Sequence, residues 1–185
     1  MVSAVPIVSS ECVVDVAAPV SRRYNNSCNG EANMRIAIAQ CGSENTGKST
    51  TIRMMYEILL KKYPDAAVER RLPKKKDTKK DIRAVLTIGG IRIGIESQGD
   101  PWKKQARLDP SLALFVRLKC EVIVCATRTW GGTLDVVRRL EDEGYTVTER
   151  SRTRVVGTPS QERRNLAEAN WMIEQIEAIF ATATV

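Results

Sequence analysis

The 185-residue chain contains no histidine. That removes the commonest general base, the commonest zinc ligand and every serine or cysteine triad built on imidazole. Its five cysteines, Cys12, Cys28, Cys41, Cys120 and Cys125, are odd in number and never spaced C-x-x-C, so neither a disulfide framework nor a zinc ribbon is indicated. Aromatic residues make up only 5%. None is interleaved with the lysines of residues 69–83, which leaves a single-strand nucleic-acid binder without its stacking platform. No apolar run is long enough to span a membrane, and Pro6, Glu11, Asp15 and Pro19 break every candidate signal-peptide core. Cysteines read as reduced core residues and the lack of a membrane span place the expected protein in the cytoplasm.

What is present has the balance of a soluble folded protein, with 43% apolar and 28% charged residues. The formal net charge of +7 is concentrated after residue 60 and suits an anionic partner. Residues 1–33 carry prolines, serines and an Asn-Asn/Asn-Gly tail without periodicity, and are expected to form a disordered N-terminal extension. One domain is expected over 34–185, opening at Met34.

Arg35–Cys41 is a short apolar run of the kind buried on both faces of a sheet. From Lys48 to Lys62, Ile52, Met55, Tyr56, Leu59 and Leu60 recur with helical spacing until Pro64. Residues 69–83 read as an exposed basic connector. Ile82–Ile88 and Ile91–Ile95, joined by Gly89-Gly90, predict an antiparallel hairpin, because both glycines accept positive φ. Asp109-Pro110 predicts an N-cap and first turn for a helix burying Leu112, Phe115 and Leu118, followed by a strand at Glu121–Ala126. Thr133 is expected to cap a helix ending at Gly144, with Tyr145–Glu149 as a strand and a further short strand near Val155. Thr158-Pro159-Ser160-Gln161 fits a capping box, opening a helix whose stripe is Leu166, Ala169, Ile173, Ile176 and Phe180.

Chemistry concentrates in Gly42-Ser43-Glu44-Asn45-Thr46-Gly47-Lys48-Ser49, which fits G-x-x-x-x-G-K-[ST] without a mismatch. Glycines let the backbone fold around an anion, amide hydrogens point inward, and the following helix turns its positive end toward phosphate. Lys48 adds a full charge at the β and γ phosphates, and the Ser49 hydroxyl suits magnesium, a hard cation that prefers oxygen. Through this motif and the order of its elements over roughly 34–150, the chain resembles the P-loop NTPase superfamily. The resemblance implies a three-layer α/β fold, a mainly parallel sheet with one antiparallel hairpin strand, magnesium dependence and phosphoryl chemistry. It further implies that Thr50 touches the α-phosphate.

Glu96-Ser97-Gln98-Gly99 is similar to the D-x-x-G element of GTPases with glutamate in place of aspartate. Glu96 is thereby a candidate magnesium anchor or base on water, against the reading of a solvated strand-end carboxylate. Gln98 and Asp100 are candidates for orienting water or taking a proton from a substrate hydroxyl, against plain turn residues before Pro101. Arg128, beyond another strand, is a candidate for γ-phosphate charge, against a surface arginine. Trp130-Gly131-Gly132 lies beside the same edge, where the tryptophan packs on its own helix or meets a base. No N-K-x-D guanine signature occurs, so ATP is the default nucleotide. Three functions follow: Mg-dependent ATP binding and hydrolysis; γ-phosphate transfer to a small-molecule or nucleotide acceptor with residues 69–83 as a lid; or nucleotide-gated binding of nucleic acid through Lys74, Lys75, Lys76, Lys79 and Lys80.

Overall fold

The computed structural model describes residues 34–70, 81–99, 108–130, 132–154 and 157–183, all within one compact unit, Ala32–Val185. The expectations for residues 1–33, for most of the basic connector, for Asp100 and for a strand near Val155 lie outside the described residues.

The α/β architecture is a six-stranded sheet between two helical layers. In chain order the elements are β1 (Arg35–Gly42), α1 (Lys48–Lys62), β2 (Ala67–Arg70), β3 (Arg83–Ile88), β4 (Ile91–Glu96), α2 (Leu108–Arg117), β5 (Val122–Thr127), α3 (Thr133–Arg138), a 3-10 turn (Arg139–Glu141), β6 (Tyr145–Arg152) and α4 (Thr158–Ala183). The sheet order is β2-β3-β4-β5-β1-β6. Strands β4, β5, β1 and β6 are mutually parallel, and β3 is antiparallel to both its neighbours.

Two cores follow from the alternation of side chains along the strands. Ile38, Ile93, Ile95 and Val124 meet Ile52, Met55 and Leu59 of α1 and Met172 and Ile176 of α4. Ala37, Ala39, Ile123 and Cys125 meet Leu112 and Phe115 of α2 and Val137 of α3. The β3–β4 hairpin turns through Gly89 and Gly90, at φ 56° and 86°, with Ile88 paired to Ile91.

Several sequence expectations shift. Ala67–Arg70, whose last two residues fall in the expected connector, pairs with β3 as an edge strand despite its charges. Gly132, at φ 73°, is the N-cap of α3, and Thr133 is its first helical residue. Strand β6 continues past Glu149 to Arg152. On α4, Leu166 is exposed, whereas Asn165, Ala169, Met172, Ile176 and Ile179 face the sheet. That row keeps strict i, i+4, i+7 spacing, and its first member is polar because it meets the loop after β1 rather than apolar core.

Candidate functional site

The parallel strands set the geometry. Gly42 ends β1, Glu96 ends β4, Thr127 ends β5 and Arg152 ends β6, so the residues that follow all emerge at one sheet edge. Because β3 runs the other way, its start brings Asp81 to that same edge. Open α/β sheets place their ligands there.

Gly42–Ser49 bridges the end of β1 and the first turn of α1. Asn45 and Gly47 adopt positive φ, 57° and 86°, which curls the backbone before the helix. Gly47 is needed for a second reason: a Cβ there would lie 2.5 Å from Asn165 Oδ1 and 2.6 Å from Gln161 Nε2. A Cβ on Gly42 would lie 2.5 Å from the Arg152 carbonyl oxygen. The curl is therefore fixed by what lies beneath it.

That underside is a polar network that sequence reasoning missed. Gln161 Nε2 donates to the Thr46 carbonyl at 3.3 Å and to Asn165 Oδ1 at 2.8 Å, so the expected capping-box glutamine instead ties α4 to the loop. Thr51 Oγ1 donates to the Gly47 carbonyl at 2.9 Å. Arg152, 4% exposed, reaches Thr51 Oγ1 at 3.2 Å and also donates to Asn165 Oδ1. Glu168 joins from α4, accepting from Gln40 Nε2 at 3.0 Å and from Arg150 Nε at 2.8 Å. Burial pushes its carboxyl up, but those donors and the Arg150 and Arg152 charges outweigh burial and hold it below the usual range. The only clue in the sequence was polar residues on an apolar stripe.

Lys48 points back along the loop. Its Nζ donates to the carbonyl oxygens of Gly42, at 2.7 Å, and Ser43, and lies 3.4 Å from Thr46 Oγ1. Burial, and then the nearby Arg128 charge, pull its pKa down to about 8. A cation held so near neutral is one that an arriving anion would stabilise. Ser49 Oγ donates to the Ser97 carbonyl at 2.8 Å, joining the helix start to the end of β4 and leaving its oxygen lone pairs as acceptors.

Two adjoining hollows meet at the loop. One, of 400 Å³, is lined by Thr46, Gly47, Thr50 and Arg53. The other, of 250 Å³, is lined by Glu44, Gln98, Gly99, Ala126 and Arg128. Asn45, Lys48, Ser49 and Asp81 line both. Arg128, 8% exposed, pairs with Glu44 Oε1 at 2.7 Å. Thr133 Oγ1 accepts the Arg128 backbone N–H at 3.0 Å, so the hydroxyl expected to cap α3 closes the turn that carries Arg128.

The structure thus brings Lys48, Ser49, Gln98 and Arg128 to one cleft, together with Asp81, which sequence reasoning did not single out. Glu96 is not among the lining residues. Its carboxylate is buried on the far side of β4, accepting from Arg83 Nε, from Ser111 Oγ at 2.7 Å and from the Gln98 backbone N–H at 3.0 Å. Burial raises its pKa, with the Arg83 charge opposing. Trp130, two residues beyond Arg128, is 48% exposed.

The residues present fit a magnesium polyphosphate: a curl that side chains would fill, two buried cations and a hydroxyl at the helix start. Among the described residues no cluster of three His, Cys, Asp or Glu could hold a metal. A cation here would need ligand-borne oxygens. Among the described residues, no helix is long and apolar enough to cross a membrane.

No protein-family model matches the chain, and no curated protein sequence does. Among solved structures it is similar to the crystal structure of APE1195, at a TM-score of 0.38 and 18% identity, over 72% of this chain and 70% of that one.

Proposed function

We propose that the protein is a P-loop nucleoside triphosphatase that binds Mg-ATP at Gly42–Ser49 and hydrolyses it. One observation carries this reading: a complete G-x-x-x-x-G-K-S loop sits at the strand–helix junction of the open sheet edge, with Lys48, Ser49 and Arg128 facing a single cleft. The loop amides of 43–48 and the N-terminus of α1 would cradle the phosphates, Thr50 would lie at the α-phosphate, and Lys48 would meet the β and γ oxygens. Ser49 and Asp81 are the side chains suited to hold magnesium directly or through water. When bound, that ion neutralises phosphate charge and aligns the reacting oxygens.

Gln98 lines the hollow with Lys48 and Arg128, where it would orient an attacking water. Water adds to the γ-phosphorus as the bond to the β–γ bridging oxygen breaks, giving ADP and phosphate, and the water proton passes to the released phosphate. Arg128 stabilises charge on the transferring group. In this reading Glu96 organises the end of β4 instead of touching magnesium or water.

A second reading, transfer to a small hydroxyl acceptor, is favoured by the hollow around Lys48 extending to Gly99 and Ala126. Asp100 would then take the acceptor proton. Nucleic-acid binding through Lys74–Lys76, Lys79 and Lys80 is a third, and predicts affinity that falls steeply with salt.

The test is a panel of nucleoside triphosphates with and without magnesium, read by thermal shift, followed by product analysis of the best ligand. Stabilisation by Mg-ATP with release of phosphate supports the triphosphatase. A stoichiometric phosphorylated acceptor supports the kinase, and no shift with any triphosphate overturns both.

A further inference from the structure

We propose that Arg152 strengthens polyphosphate binding through its charge, from beneath the loop and without touching the ligand. The proposal rests on the reading of Gly42–Ser49 as a polyphosphate cradle, and adds to it a residue that lies outside the loop motif.

Arg152 ends β6 beside Gly42, its partner in the parallel register with β1. Its side chain is 1% exposed and lines neither hollow of the cleft. Nη2 donates to Thr51 Oγ1 at 3.2 Å and to Asn165 Oδ1, and Thr51 Oγ1 donates onward to the Gly47 carbonyl at 2.9 Å. The guanidinium therefore lies two hydrogen bonds from the curl of the loop. Both of its acceptors are neutral, and among the described residues nothing accepts from Nε or Nη1.

The carboxylate beside it is shared. Glu168 Oε2 stands 3.8 Å from Arg152 Nη1, while the two Glu168 oxygens accept from Arg150 at 2.8 and 3.0 Å and from Gln40 at 3.0 Å. Burial pulls the Arg152 pKa down, Glu168 opposes, and the Arg164 and Arg150 charges add to the fall. A tether alone would be served by a neutral amide, because Thr51 and Asn165 need only a donor. A buried guanidinium resting on neutral oxygens is costly unless an anion completes it. The loop above is where this site would receive one. The charge reaches that far, since Arg152 is one of the groups that lower the Lys48 pKa, after burial and Arg128. In a protein interior the field of a unit charge extends well past contact distance, so a polyphosphate is attracted without meeting the guanidinium.

The experiment is calorimetric titration of the full chain with Mg-ATP, using the wild type, Arg152→Gln, Arg152→Lys, Glu168→Gln and Lys48→Ala, each checked for folding by circular dichroism. Arg152→Gln keeps a donor for Asn165 but loses the charge, and is expected to weaken Mg-ATP about tenfold. Arg152→Lys keeps the charge but loses the planar fork, and should stay within about threefold of the wild type. Glu168→Gln keeps an oxygen for Gln40 and removes the negative charge beside Arg152, so it should tighten Mg-ATP about threefold. Wild-type affinity in Arg152→Gln, equal losses in Arg152→Gln and Arg152→Lys, or unchanged or weaker binding in Glu168→Gln overturns the proposal. Glu168→Gln decides the matter by itself should Arg152→Gln fail to fold. Wild-type affinity in Lys48→Ala would instead defeat the cradle reading on which the proposal rests.

Discussion

Lys48 carries its charge at a disadvantage in the unligated loop, and the pH dependence of binding should show it. Its pKa is pulled down from 10.5 to about 8 by burial and by Arg128. Between those values the folded chain binds fewer protons than the unfolded one, so the unligated protein gains stability as pH rises through that window. A bound polyphosphate restores the proton. Mg-ATP affinity should therefore fall above about pH 8, with proton uptake visible as a buffer-dependent binding enthalpy; affinity flat to pH 9.5 would remove Lys48 from contact. At Glu96 the expectation is structural. Glu96→Ala removes three buried hydrogen bonds, those from Arg83, Ser111 and the Gln98 amide, together with the Arg83 ion pair, and should lower unfolding stability by about 3 kcal/mol. Mg-ATP affinity should stay within about twofold, as urea midpoints and titrations would check; lost hydrolysis at undiminished stability would put Glu96 in the chemistry. Local pattern located Lys48 and Ser49 because the motif is contiguous. It could not tell Glu96 from Asp81, because which carboxylate meets the cleft depends on the pleat of β4 and the reversed direction of β3.

Helices and strands show the same division. The α1 stripe and the Gly89-Gly90 hairpin were legible because their periodicity and turn chemistry are local. Strand β2 was not, since Ala67–Arg70 has meaning only beside β3. On α4 the expected Ala169, Ile173 and Ile176 are buried, and only the start of the stripe differs, because Asn165 serves the loop and Leu166 faces solvent. Packing between β4 and α2 provides a test of the layers. A Cβ on Gly94 would lie 2.4 Å from the Phe115 ring, itself fully buried. Gly94→Ala should cost about 1–3 kcal/mol, and a double variant with Phe115→Leu should recover part of that loss in thermal denaturation. At the loop, Gly47→Ala meets both positive φ and the Asn165–Gln161 amides, so it should abolish nucleotide binding while the sheet core stays folded by circular dichroism.

Across the whole unit, four parallel strands end at one edge, α4 and β6 support the loop from beneath, and Arg128 faces it from β5. A contiguous motif marks where the proposed phosphates would sit. The support did not show in sequence, because Arg152, Gln161 and Asn165 lie more than a hundred residues from the loop they hold. The most direct test of the account is the affinity of Mg-ATP for the wild type against Lys48→Ala, measured at pH 7.5 on protein shown to be folded. The account predicts saturable wild-type binding and a loss of at least about a hundredfold in the variant, as expected for removing a charged contact from a buried anion site. Equal affinity in the two proteins would contradict it.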